Sequence, residues 1–182
     1  METAMIVFVS GGARSGKSGV AERLVRQYQA ARGGERYYLA TASAADEEMA
    51  TRIARHRDER GEEWLTLESS VDIDATLATI PHGSSILLDC LTLWASRAMF
   101  ESGLEAPEGR ALLSRCLAVA RQRGIILVVV SNDLNEDLPP RDPLVWGYLA
   151  LLQSLHRDLV AEADRVIEVV AGQIIDWQGE EA

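Results

Sequence analysis

The chain has 182 residues, 47% hydrophobic and 25% charged, the balance of a globular protein with ample length for one core. Its net charge of −10 argues against a general nucleic-acid binder, which needs a basic face. No apolar stretch approaches a membrane span, no basic start with an apolar signal core opens the chain, and Cys90 and Cys116 show neither metal nor disulfide spacing. One domain over residues 1–182 and a reduced, cytoplasmic setting are the expectation.

Met5-Ile6-Val7-Phe8-Val9 is a short apolar run of the kind a buried parallel strand needs. It leads into Gly11-Gly12-Ala13-Arg14-Ser15-Gly16-Lys17-Ser18, which reads G-x-x-x-x-G-K-S, a phosphate-binding loop. From Lys17 a helical pattern begins, with Val20, Leu24 and Val25 on its apolar face and a stop near Arg32-Gly33-Gly34. In such a strand–loop–helix the glycines let backbone N–H groups turn toward phosphate oxygens, and the helix N-terminus adds partial positive charge. Lys17 is then placed for the β- and γ-phosphates and the Ser18 hydroxyl for magnesium.

Arg36 to Thr41 reads as a second strand. Ser43 and Asp46 resemble a capping box ahead of a helix that runs to Arg60 and stops at Gly61. Trp64 to Glu68 alternates as a short strand, Asp72 to Ile80 is a short helix, and Pro81-His82-Gly83 turns the chain. Ser85 to Cys90 is a buried strand carrying an acid at its end. A helix over Leu91–Phe100, a loop over 101–109 and a helix over Arg110–Arg123 follow. Ile125 to Val130, the most apolar run, is a central strand; 134–143 is an acidic, proline-containing loop, and Leu144–Ala163 is a long helix. Val166–Val170 and Gln173–Trp177 flank Ala171-Gly172 as a terminal hairpin. Strands alternate with helices, so the fold class is α/β, a mostly parallel sheet with helices on both faces and ligands at the carboxyl ends of the strands.

Asp89 closes an apolar strand, where an acid that helps hold magnesium at a phosphate loop sits, although a strand-end or capping aspartate looks the same. Asn132-Asp133 is a second candidate at that sheet edge. Met49, Ile53, His56 and Arg60 fall in one helical stripe of roughly 60°, so His56 faces inward or along a cleft rim, either as a nucleophile toward phosphorus or as a structural histidine. Arg57 and Arg60 are spaced to offset phosphate charge, and Glu68 could accept hydrogen bonds from a ribose or a base, or simply be solvated. His82 and His156 read as structural or exposed, and Trp64, Trp94, Trp146 and Trp177 as core or interface residues.

These residues together resemble a known family. The phosphate loop, Tyr38-Leu39-Ala40-Thr41, Asp46-Glu47-Glu48-Met49 with Arg52-Ile53 and His56-Arg57, then Trp64, Thr66 and Glu68, look like the bifunctional adenosylcobinamide kinase / adenosylcobinamide-phosphate guanylyltransferases. Leu87 to Trp94, Ser131-Asn132 and Val169 to Gly172 continue the pattern. The resemblance implies a RecA-like P-loop domain that forms a homotrimer. It implies phosphorylation of adenosylcobinamide by ATP or GTP, then transfer of GMP from GTP to adenosylcobinamide phosphate, with Mg2+. The nucleophilic histidine falls on His56, and the nucleotide contacts on the loop, Ala40-Thr41, Arg57, Arg60, Glu68 and Asp89. The chain departs from the family after Asn132. Asp133 and 134–140 replace Glu-Val-Gly-x-Gly-Ile-Val-Pro, and Trp146, Tyr148-Leu149-Ala150, Gln153 and His156-Arg157 stand where Arg, Phe-Arg-Asp, Gly and Asn-Gln are usual.

Overall fold

In the computed structural model the described residues are 3–42, 47–61, 63–69, 71–134 and 141–178, without the side chains of 47–49, 52, 53 and 56. The strands β1 (Met5–Gly11), β2 (Arg36–Ala40), β3 (Leu65–Glu68), β4 (Ser85–Asp89), β5 (Ile126–Asn132), β6 (Arg165–Val170) and β7 (Gln173–Asp176) form one sheet. Their order is β3-β2-β4-β5-β1-β6-β7, with every pairing parallel except β6 with β7. The helices are α1 (Lys17–Arg32), α2 (Glu47–Arg60), α3 (Ile73–Thr79), α4 (Leu91–Ser96), α5 (Ala106–Gln122) and α6 (Pro143–Glu162).

Alternation along the strands divides the core in two. Ile6, Phe8, Leu39, Ile86, Leu88, Leu127 and Val129 point to one face, where Leu77, Trp94, Leu112 and Leu155 from α3 to α6 cover them. Val7, Val9, Tyr38, Leu87, Val128 and Val130 point to the other, under Val20, Leu24 and Val25 of α1. Each fully buried aliphatic side chain contributes about 1.5–3 kcal/mol. Surface ion pairs such as Arg115–Asp74 are each worth under about 1 kcal/mol, so the apolar layers hold the helices to the sheet.

Two helix boundaries differ from the sequence expectation. The expected loop over 101–109 ends early, because α5 already begins at Ala106. Glu108 reaches back to accept from the Glu105 N–H at 2.8 Å, and Pro107 stands in the first turn, where its missing donor costs nothing. Gly109 is therefore helical; a β-carbon there would lie 3.3 Å from Leu151 Cδ1, so its lack of a side chain serves close packing of α5 on α6. The helix expected over Leu91–Phe100 is α-helical only to Ser96, and Arg97–Glu101 widens into a π-helical turn. The capping box at Ser43 and Asp46 lies outside the described residues.

The hairpin appears where Ala171-Gly172 indicated it. Both turn residues have positive φ, 48° at Ala171 and 78° at Gly172. Such a two-residue turn matches the twist of the strands but penalises a β-carbon at its first position. Ala171→Gly is expected to stabilise the fold by about 0.5–1 kcal/mol, read as a higher urea midpoint at unchanged slope.

Candidate nucleotide site

Register assembles the site. Glu68 pairs with Ala40, Ala40 with Asp89, Asp89 with Val130, and Asn132 with Gly11. The strand-end residues singled out in the sequence thus share the carboxyl edge of one sheet. β5 stands between β1 and β4, so the loop strand and the Asp89 strand are two spacings, about 10 Å, apart. α1 leaves the loop and packs back across β5 and β4.

The loop itself is tightly bent. Arg14 and Gly16 have φ of 58° and 91°, which only Gly16 adopts without strain. A β-carbon on Gly11 would come within 2.6 Å of the Val169 carbonyl oxygen, so that position is sterically closed to larger residues. Lys17 is buried, and its Nζ donates to the Gly12 carbonyl at 3.1 Å. The Ser15 carbonyl accepts from the Gly172 N–H at 2.8 Å, so the turn of the β6–β7 hairpin braces the loop. Ser15 Oγ is buried without a hydrogen-bond partner, and Ser18 is exposed at the start of α1.

Asp89 is half-buried, and its Oδ2 accepts from the Tyr38 hydroxyl at 2.7 Å. Burial, then the charge of Asp89, pushes the Tyr38 phenol far up, so it stays protonated and acts as a donor. The Arg60 guanidinium lies over the Tyr38 ring, 3.1 Å from its centroid, and pairs with Glu22 at 3.4 Å. Arg60 is 7% exposed and turned inward, against Tyr38 and Glu22. Thr41 is also turned inward: its Oγ1 accepts from the Cys90 N–H at 2.9 Å and donates to the Cys90 carbonyl at 2.7 Å, seating the turn after Asp89. Arg57 and Glu68 are exposed. His56 falls on α2, and its side chain, with those of Met49 and Ile53, lies outside the described set.

Three contributors were given no role at the site by the sequence. Tyr38 sits diagonal to Asp89 across the β2–β4 ladder, which becomes visible only once the register is known. Arg97 Nη1 donates to the carbonyls of Thr41 at 2.7 Å and Ser69 at 3.0 Å, joining the ends of β2 and β3 to the π-helical turn. Gly172 braces the loop from across the sequence. Elsewhere, His82 is exposed in the turn before β4, at the opposite edge. Trp64 and Trp94 are buried, while Trp146 and Trp177 are exposed.

The comparisons with known proteins agree with this geometry. Residues 7–176 match the model of the family described as cobinamide kinase / cobinamide phosphate guanyltransferase. The chain belongs to the cobinamide kinase / cobinamide phosphate guanyltransferase family. Two relatives are the bifunctional adenosylcobalamin biosynthesis proteins CobP of Pseudomonas aeruginosa and CobU of Escherichia coli K12. The first is 37% identical, covering 94% of this chain and 96% of the relative. The second is 30% identical, covering 92% and 97%. The solved KaiC-like protein PH0186 of Pyrococcus horikoshii superposes with a TM-score of 0.54 at 13% identity, over 97% of this chain and 80% of that one, which supports the RecA-like fold alone.

Two oxygen donors at this edge are of the kind magnesium takes. The exposed Ser18 hydroxyl, at the end of the strained, lysine-bearing loop, and the half-buried Asp89 carboxylate, on the same carboxyl sheet edge, are both hard oxygen donors.

A second polar cluster lies under the same edge. Ser131 Oγ is 2.7 Å from His156 Nε2 and 3.1 Å from Thr92 Oγ1, which accepts from the Asn132 N–H at 2.8 Å. The imidazole also packs against Phe8, ring centroids 5.2 Å apart, so His156 is a half-buried structural residue. Burial holds its pKa below the ordinary 6.5, with Asp133 opposing. The neutral form is therefore favoured on folding, and this stabilisation is present above pH 6.5 and lost as pH falls through the folded-state pKa. His156→Asn, which keeps an acceptor without the titration, is expected to flatten the loss of stability below pH 6.5, removing a slope of at most about 1.4 kcal/mol per pH unit. Urea unfolding at a series of pH values checks it.

Proposed function

We propose that the chain phosphorylates adenosylcobinamide with ATP or GTP and transfers GMP from GTP to adenosylcobinamide phosphate. Membership of the family supports this reading. The observation that carries it is the placing of the Gly11–Ser18 loop and Asp89 along one carboxyl sheet edge, with Lys17 inside the loop.

In the first reaction Lys17 exchanges the Gly12 carbonyl for the β- and γ-phosphates, and the loop N–H groups hold the phosphate oxygens. Magnesium, held by Ser18 and Asp89, supplies neutralisation of phosphate charge when bound. In the second, a ring nitrogen of His56 forms a bond to the α-phosphorus of GTP while the α–β P–O bond breaks and pyrophosphate leaves. A phosphate oxygen of the acceptor then forms the new P–O bond, the N–P bond breaks, and the histidine is restored. Two easier displacements replace one. The remaining nucleotide contacts are assigned to Arg57 and Glu68, with Ala40-Thr41 and Arg60 acting through their inward contacts. We assign the protein to the cytoplasm as one domain and a homotrimer, for which exposed Phe100, Trp146 and Trp177 supply apolar surface. Among the described residues no helix is long and apolar enough to cross a membrane.

A different acceptor alcohol or phosphate is the second reading. Exposed Leu144, Val145 and Trp146 on the first turn of α6, in the region where the chain departs from its family, favour it.

GTP labelled at the α-phosphate tests the mechanism. The parent protein is expected to retain acid-labile, alkali-stable label, and His56→Ala none; an unlabelled parent that still binds GTP would rule out the histidine intermediate. Release of the label by adenosylcobinamide phosphate supports the first acceptor, and its retention the second. Lys17→Ala is expected to lower γ-phosphoryl transfer by at least about a hundredfold, measured by single-turnover kinetics.

A further inference from the structure

We propose that Tyr38 is the positioning residue of Asp89: its hydroxyl fixes one carboxylate oxygen and leaves the other for the nucleotide-bound metal. The inference rests on the reading of Asp89 given above.

Three contacts hold the phenol for this task. Its hydroxyl donates to Asp89 Oδ2 at 2.7 Å. One face of the ring carries the Arg60 guanidinium. Its edge meets Trp64, centroids 6.4 Å apart at 82°. Trp64 is itself flanked by Arg36 and Arg26, at 4.9 and 5.6 Å from its centroid. Tyr38 is 8% exposed and Trp64 5%, so neither ring has room to swing.

The guanidiniums are anchored in turn. Arg36 pairs with Glu63, and Arg60 with Glu22 on α1, one turn beyond Ser18. The stack therefore runs from α1 through α2 to β2, is flanked by Trp64 just before β3, and ends on the acid of β4. Asp89 is only half-buried, and a carboxylate facing solvent on one side samples more than one rotamer unless something holds it. A buried donor on a locked ring supplies that restraint before any ligand arrives, which is how a positioning group lowers the ordering cost of binding. Arg60 acts at one further remove: with Nη1 buried and without a hydrogen-bond partner, its strongest described contacts are the ring and Glu22.

The test is equilibrium binding of a fluorescent non-hydrolysable GTP analogue to the full chain, in magnesium and in EDTA. The readout is the ratio of the two dissociation constants. Tyr38→Phe keeps the ring and removes only the donor; it is expected to lower the magnesium enhancement about tenfold, the worth of one hydrogen bond to a charged group. Binding in EDTA is expected to stay unchanged, while the thermal midpoint falls by about 3–6 °C for the lost hydrogen bond and unfolding remains cooperative.

Asp89→Asn should lower the enhancement at least as far. In the Asp89→Asn background Tyr38→Phe should add nothing, because the two act as one unit. A normal enhancement in Tyr38→Phe with a low one in Asp89→Asn would overturn the inference and leave the site reading standing. An equal further loss in the double variant would also overturn it, since Tyr38 would then act elsewhere. A normal enhancement in Asp89→Asn would instead sink the reading of Asp89 and this inference with it. Should Tyr38→Phe not fold, Arg60→Met carries the test: about a threefold fall in the same ratio is expected from loosening the ring, and no fall would count against the inference.

Discussion

The parallel ladder joining β2, β4, β5 and β1 is the constraint on which the rest of this molecule depends. Its strands are buried on both faces, and successive residues serve two different cores. A slip of one residue would send each side chain to the wrong core, so the register is strongly specified. That register brings Asp89 level with Ala40 and Val130, and Gly11 level with Asn132. The carboxyl edge inherits its geometry from packing that involves no functional group.

Onto this frame the chain lays polar groups that mostly restrain one another. The hairpin turn holds the loop through Ser15, Thr41 holds the turn after Asp89, and Arg97 draws together the ends of β2 and β3. Such bonds gain strength in surroundings of low dielectric, provided each buried group finds a partner. The two faces divide the work. Tyr38, Trp64 and Arg60 support the edge from the α1 side, while Thr92, Ser131 and His156 support it from beneath α6. With His156 in it, the second network carries a titratable group.

Much of this was legible in the amino-acid order, for reasons that differ by element. The loop announces itself because glycines at fixed offsets and a Lys-Ser pair suit a single backbone path. β5 is visible as an unbroken apolar run, and the hairpin as two such runs around Ala171-Gly172. The start of α5 was not legible, since Pro107 and Gly109 read as loop residues until the Glu105–Glu108 contact and the close approach of Leu151 are seen. Arg60 was read as a phosphate ligand from its spacing; its direction depends on the aromatic ring beneath it.

The sequence alone determined the element order, the phosphate loop, the acid at the end of β4 and the family. These are local or one-dimensional properties, set by periodicity, glycine spacing and residue type. Only the tertiary structure decided that β5 intervenes between the loop strand and the Asp89 strand, that Tyr38 and not a neighbouring residue meets Asp89, and that Gly172 supports a loop far from it in the chain. Those contacts join residues distant in sequence. They arise from strand order and register, which follow from burying two apolar faces at once and leave no mark in any short stretch of the chain.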